Sequence, residues 1–286
     1  MRINHNIAAM VGHDSIYRNQ KSLVSSLEKL STGLRINRAS DDAAGLSISE
    51  QLRTQVRGTA QAKRNAEDGI ALLQIAEGAA NEISSIIQRM RELAVQSAND
   101  TLTSTERGYT DQEFTALTNE ITRITQGTQY NGITLLDGAT GSFGASGGPS
   151  ILHVGANNNR GQATGSVDTI SVSITGITAA VTDALGNTGI STQSAAFSAI
   201  STLDNAIKSV NSMRADVGAL VNRLESAINN LSNQEFNIQN AESIIRDVDF
   251  AQETTSFTKS QILTQASTSM LAQANAVPAN VLTLMS

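Results

Sequence analysis

A chain of 286 residues with a formal net charge of −6, 3 % aromatic residues and no tryptophan can bury a core, but a slender one. The acidic balance excludes nucleic acid as a main partner, because phosphate binding needs clustered Lys and Arg. Cysteine is absent, which removes disulfides, thiolate metal sites and cysteine nucleophiles and leaves the redox compartment open.

Met1 to Asn6 lacks the apolar run and small-residue cleavage site of a secretory signal, so export without a cleaved signal peptide is the expectation if the protein leaves the cell. No apolar stretch approaches the roughly 18 residues of a membrane span. The first helix carries a stripe at Leu23, Leu27, Leu30 and Leu34. Gly33 and then Asn37 to Asp42 interrupt it, and Ser40, Asp41 and Asp42 are N-cap candidates for a helix that starts at Ala43-Ala44. That helix is predicted to run to about Asn99, a rod of roughly 80 Å at about 1.5 Å per residue. Its seam reads Leu73, Ala76, Ala80, Ile83, Ile87, Met90 and Ala94, in steps of three and four.

Asn99-Asp100-Thr101 ends the rod, Thr103 to Thr105 can cap a return helix over 104–127, and Tyr130-Asn131-Gly132-Ile133 reads as a hairpin turn. The middle then changes character. Eight glycines and Pro149 fall between 138 and 165, which predicts turns and short strands, and Ile170, Val172 and Ile174 alternate with Ser171 and Ser173 as a half-buried strand. This β excursion ends near Thr192.

From Ala195 to about Asn240 the helical rhythm returns through Ile200, Leu203, Ile207, Val210, Val217, Val221, Leu224, Ile228 and Leu231, missing a beat at Arg214. The two seams can wind along each other as an antiparallel coiled coil. Methionines at 90, 213 and 270 lie on or beside helical seams and read as core packing. The last helix, over 252–284 with Pro278 near its end, has the stripe Leu263, Ala266, Met270, Ala274, Val277, Val281 and Leu284. Within 251–286 the only charged side chains are Glu253 and Lys259, whereas residues 1–35 hold five basic residues against Asp14 and Glu28. One such stripe is too little apolar area to offset the ordering of its helix. Both ends are therefore expected to be mobile in an isolated chain and to order when neighbouring copies cover them. The predicted fold is mainly α: long antiparallel coiled-coil helices built from both chain ends, with a small β element in the middle. Its expected parts are terminal helices at 1–42 and 243–286, a long-helix bundle with a hairpin at 43–138 and 193–242, and a glycine-rich β segment at 139–192.

Catalytic chemistry finds little support. Gly144-Ala145-Ser146-Gly147-Gly148 fits the pattern of a nucleophile turn, but no buried strand precedes it and His153 is the only downstream histidine. His5, His13 and His153 are too scattered for a metal site. Asp41 and Asp42 read as helix caps, and Asp247 and Asp249 as capping or subunit contact ahead of divalent metal binding. The Ser- and Thr-rich stretch 164–202 would accept O-glycosylation or serve as a solvated loop. Neither catalytic residues, a cofactor nor a metal is predicted.

Ser25 to Asn37, with Ala39 and Asp41-Asp42-Ala43-Ala44-Gly45-Leu46, resembles the N-terminal signature of bacterial flagellin. Gln88 to Asn99, Gln129 to Gly132, Asn222-Arg223-Leu224, Arg246 to Ala251, Gln261-Ile262-Leu263 and Met270 to Asn275 resemble the same family. The resemblance covers about 1–138 and 200–286. It implies an extracellular filament subunit of the bacterial flagellum, with terminal helices in the inner core of a helical homopolymer. Flagellar cap and junction proteins, and an export chaperone at the C-terminal helices, are the other implied partners. It also implies an assembly seam at Leu23, Leu27, Leu30, Leu34, Leu263, Met270, Val277, Val281 and Leu284. In family members recognised by Toll-like receptor 5, positions matching Arg89, Leu93 and Glu113 contact the receptor; lattice packing is the other reading of these three. A hook–filament junction protein shares the terminal helices, and a membrane-active amphipathic helix protein is the rival from another class. The near absence of Lys, Arg and aromatic anchors in 251–286 argues against membrane binding.

Overall fold

The computed structural model describes residues 6–137, 150–157, 168–172, 181, 186 and 188–285, with 277–285 described as helical backbone only. The glycine-rich stretches 138–149 and 158–167, the serine of the nucleophile-like pattern, His5 and Ile174 lie outside the described residues. Five helices dominate: α1 (Ile7–Thr32), α2 (Ala43–Ser97), α3 (Ser104–Gly127), α4 (Gln193–Arg246) and α5 (Phe250–Met285). Two short antiparallel pairs accompany them, β1 (Gln129–Tyr130) with β2 (Ile133–Thr134), and β3 (Ser150–His153) with β4 (Thr169–Val172). The described residues form two compact units, 1–54 with 236–286 and 55–235. Their limits fall inside α2 and α4, whereas the expected boundaries after 42 and 242 lie at or near helix ends.

Helix ends follow the chemistry of their side chains. The Thr103 hydroxyl accepts from the Glu106 amide, and the Glu106 carboxylate accepts the Thr103 amide at 2.7 Å, a reciprocal capping box. That bond holds the Glu106 carboxyl below the ordinary glutamate range. Asp42 accepts the Gly45 amide at 2.9 Å and so caps α2, while Asp41 accepts from the amides of Arg38 and Asn37 and braces the turn before it. Those bonds lower the Asp41 pKa, the Arg38 amide contributing most. In the β1–β2 turn Asn131 and Gly132 have φ of 50° and 79°, the pair of positive values that an Asn-Gly hairpin turn supplies.

In the 55–235 unit the α2 seam from Leu73 to Ala94 is fully buried, joined by Phe114 and Ile121 of α3. α4 runs antiparallel to it: Leu224 lies beside Gly69, and Asp204 takes an ion pair from Arg91 at 2.8 Å. The buried line on α4 differs from the expected one. Ala199, Leu203, Ala206, Val210, Met213, Val217, Leu220 and Leu224 form an unbroken three-four series, and Met213 supplies the beat that Arg214 misses. Ile200, Ile207, Val221 and Ile228 flank the core half-buried. Alanines serve here because they let two long helices approach closely along the seam.

The strands complete this unit. Ile170 and Val172 are buried with Ser171 exposed between them, the expected alternation. Leu152 of β3 sits over Gly69 of α2, where a Cβ would come within 2.6 Å of its Cδ1. The chain re-enters α4 through a tight clamp: the Ile190 carbonyl accepts from the Ser97 hydroxyl at 2.5 Å, and its amide donates to Asp111 at 2.6 Å.

Replacing Ile83, fully buried in this core, by Ala is expected to cost about 2–5 kcal/mol of stability, measured as a lower thermal midpoint of the helical signal. The capping box predicts a pH effect. Because the folded Glu106 pKa is depressed, its contribution is complete above the ordinary glutamate value and lost as pH falls through the folded value. Melts at about pH 6 and about pH 3 should therefore differ less in Glu106→Gln than in the parent.

A candidate assembly surface on the terminal helices

α1 begins at Asn6, whose side chain accepts from the Ala9 amide, and ends at Gly33, whose φ of 73° supplies the left-handed turn that closes a helix. α5 is capped by Asp249, whose carboxylate accepts from the amides of Ala251 and Gln252. Asp249 thus acts as a helix cap, and Asp247 takes part through its backbone in a bridge to Leu34. Among the described residues no group of three or more His, Asp or Glu is arranged to hold a metal ion, and no helix is long and apolar enough to cross a membrane.

α1 and α5 pack antiparallel. Asn19 donates to Ser267 at 3.0 Å, Gly12 lies against Leu271, and the Asn6 side chain donates to the Ala274 carbonyl at 2.9 Å. The facing line on α1 is Ala9, Gly12, Ile16, Asn19, Leu23, Ser26 and Leu30, each buried or half-buried in steps of three and four. On α5 it is Phe257, Ser260, Thr264, Ser267, Leu271 and Ala274, all half-buried. This inner seam mixes Ile16, Leu23, Leu30, Phe257 and Leu271 with alanine, glycine and hydroxyl or amide side chains, and all of its residues but Ser26 are only half-buried.

A second set of large apolar side chains points the other way. Ile7, Met10, Val11, Tyr17, Val24 and Leu27 of α1 are between 52 and 66 % exposed, and Ile262, Leu263 and Met270 of α5 between 41 and 70 %. Water contact over so many neighbouring apolar side chains is unfavourable by about 25 cal/mol per Å², so a surface of this kind calls for a partner. A shallow groove of about 490 Å³ runs along α5, lined by Thr254, Thr255, Thr258, Lys259, Ile262 and Leu263.

The expected seam residues divide between these two faces. Leu23 and Leu30 lie in the inner seam, Leu34 is half-buried beside it, and Leu27, Leu263 and Met270 face outward. The side chains of Val277, Val281 and Leu284 lie outside the described residues. Met270 therefore departs from the core role read for it, unlike Met90 and Met213, which are 0 and 2 % exposed. Met10, Tyr17 and Val24 escaped the sequence reading although their seven-residue spacing marks them as one face. Phe236, Ile244 and Phe250, exposed in the same unit, carry no such period.

Arg89, Leu93 and Glu113 lie in the other unit. Arg89 donates through Nε and Nη2 to Glu113 at 3.1 and 2.9 Å, bridging α2 to α3, and through Nη1 to Glu92 at 3.1 Å. Its pKa is raised, chiefly by the Glu113 hydrogen bond. Arg89 and Glu113 are about half exposed, but Leu93 is 2 % exposed and packs into the core. Val95 of the same helix is exposed and lines a groove with Gln88, Arg91, Glu92 and Gln96.

Comparison with known proteins agrees with a chain built from two helical ends. The bacterial flagellin N-terminal helical region matches residues 3–140 and the bacterial flagellin C-terminal helical region residues 200–285. The chain is 46 % identical over 286 residues to the flagellin of Halalkalibacterium halodurans and 42 % identical over 286 residues to the flagellar filament 30.7 kDa core protein of Treponema maltophilum. Each of those alignments covers 100 % of both chains. Among solved structures it is similar to Bacillus cereus flagellin, at 30 % identity and a TM-score of 0.50 over 59 % of this chain and 88 % of that one. A putative flagellar hook-associated protein from Vibrio parahaemolyticus shares the fold at 14 % identity and a TM-score of 0.55, covering 72 % of this chain and 99 % of that one. With both helical regions matched and relatives aligned from end to end, the chain belongs to the bacterial flagellin family and is a structural subunit of the flagellar filament, part of the extracellular flagellum.

Proposed function

We propose that this filament subunit polymerises through the outward apolar faces of α1 and α5, which pack against the same faces of neighbouring copies. The observation that carries this reading is the second apolar face of the terminal pair: Ile7, Met10, Val11, Tyr17, Val24 and Leu27 of α1 and Ile262, Leu263 and Met270 of α5 remain 41 to 70 % exposed, while the seam between the two helices is itself mostly half-buried. An isolated pair held by such a seam gains little from its own packing. Its ends order when copies stack, and many modest apolar contacts per subunit add to a stiff shaft. Export proceeds without a cleaved signal peptide, an export chaperone covers the C-terminal helix before assembly, and cap and junction proteins meet the same faces at the filament's two ends.

Recognition by Toll-like receptor 5 is a separate proposal for the 55–235 unit, favoured by the exposed Arg89–Glu113 pair. In it Arg89 and Glu113 make the polar contacts, and Leu93 acts from within the core of the unit, since its own surface is buried.

Met10→Glu and Met270→Glu place a charge where a neighbour must dry the surface. Each is expected to abolish seeded polymerisation, read by sedimentation and negative-stain microscopy, with the thermal midpoint of the helical signal unchanged. Removal of 251–286 should do the same. Long filaments from the truncated chain would sink the proposal.

A further inference from the structure

We propose that the register of the α1–α5 pair is set by a main-chain clasp at its root, where Gly33 and Arg35 meet Ile245, Arg246 and Val248, and not by the side chains of the seam. The seam itself holds little register information. A slip of one heptad that carries Asn19 from Ser267 to Ser260 keeps a hydroxyl partner for its amide, and carries Gly12 from Leu271 to Thr264, which a glycine accommodates. Leu23 and Leu30 stand one heptad apart on the α1 line, so the same shift exchanges one leucine for the other against α5, and packing alone separates the two settings poorly.

The root is different. The Val248 amide donates to the Gly33 carbonyl at 3.0 Å, and the Arg35 amide to the Arg246 carbonyl at 2.7 Å, an isolated antiparallel bridge centred on Leu34 and Asp247. Gly33 reaches it only through its left-handed backbone, with its own amide spent on Lys29. The Arg35 guanidinium then grips the Ile245 carbonyl with Nε and Nη2 at 3.2 and 2.7 Å. Arg246 is tied to Glu50 of α2 at 2.8 Å. α1 ends and α5 begins within three residues of this bridge, so both helices leave it with no slack. A heptad slip breaks every one of these contacts and, at about 1.5 Å per residue, displaces the two outward faces by about 10 Å. Division of labour follows: the clasp supplies alignment, and the seam stays weak enough to open and re-form as a subunit is added. This consequence for assembly rests on the polymerisation surface proposed above; the register claim itself does not.

The cysteine-free chain allows a direct test. A Cβ built on Gly12 lies 3.8 Å from Leu271 Cβ, a distance suited to a disulfide, so Gly12→Cys with Leu271→Cys reports the native register. Gly12→Cys with Thr264→Cys reports the slipped one. Both pairs are introduced into the full-length parent, into Arg35→Ala, into Arg35→Ala with Val248→Pro, and into Asn19→Leu. After oxidation with diamide, intramolecular disulfides are quantified on non-reducing gels and by peptide mass spectrometry. The parent and Asn19→Leu should form the 12–271 link alone, and the root variants should raise the ratio of 12–264 to 12–271 about tenfold, as loss of one or two net hydrogen bonds allows. Thermal melts confirm that the 55–235 unit is intact; if the double variant does not fold, Arg35→Ala alone decides. The proposal is overturned if the root variants keep the native link only, if they lose both links, if Asn19→Leu slips, or if the parent fails to form 12–271. Failure of the assembly reading shows elsewhere, as normal filaments from Met10→Glu.

Discussion

The constraint on which the molecule depends is the antiparallel closure of segments more than two hundred residues apart. Asn6 meets Ala274, Asn19 meets Ser267 and Arg35 meets Ile245, at sequence separations of 268, 248 and 210. Closing loops of that length is entropically expensive, though the cost grows only logarithmically with length. The 55–235 unit offsets it with a dense aliphatic seam and a third helix. The terminal unit has less to offer, because its facing residues are mostly half-buried and mix Ile16, Leu23, Leu30, Phe257 and Leu271 with glycine, serine, threonine and asparagine.

This contrast explains how one chain serves two physical demands. The 55–235 unit must be stable in each copy, so Leu73, Ile83, Ile87, Leu203, Val210 and Leu224 are spent inward. The terminal unit leaves Met10, Tyr17, Val24 and Met270 outward, on the surface proposed to pack against neighbouring copies.

Much of this was legible in the residues. Thr103 and Glu106 announce a capping box, Asn131-Gly132 a two-residue turn, and Asp41-Asp42 the start of α2; each is a local interaction in which the side chain chooses the backbone. The α2 seam was legible for a related reason, since a helix buried along one stripe must repeat its large aliphatics every three or four residues. The α4 seam was only half legible. Ala199 and Ala206 are as buried as any leucine, but alanine appears on every kind of helix surface and carries no signal of its own.

By itself, then, the chain's order of residues determined the helices, their caps and the hairpin, because these follow from spacing and local hydrogen bonding. Tertiary structure alone decided which face of each terminal helix turns inward. Leu27 and Leu30 are three apart and equally apolar, yet one is exposed and the other half-buried. A helical stripe specifies that a face will be covered and leaves open what covers it. The backbone bridge between Gly33 and Val248 joins the roots of α1 and α5, and the pairing that follows from there leaves Leu27 on the outer side.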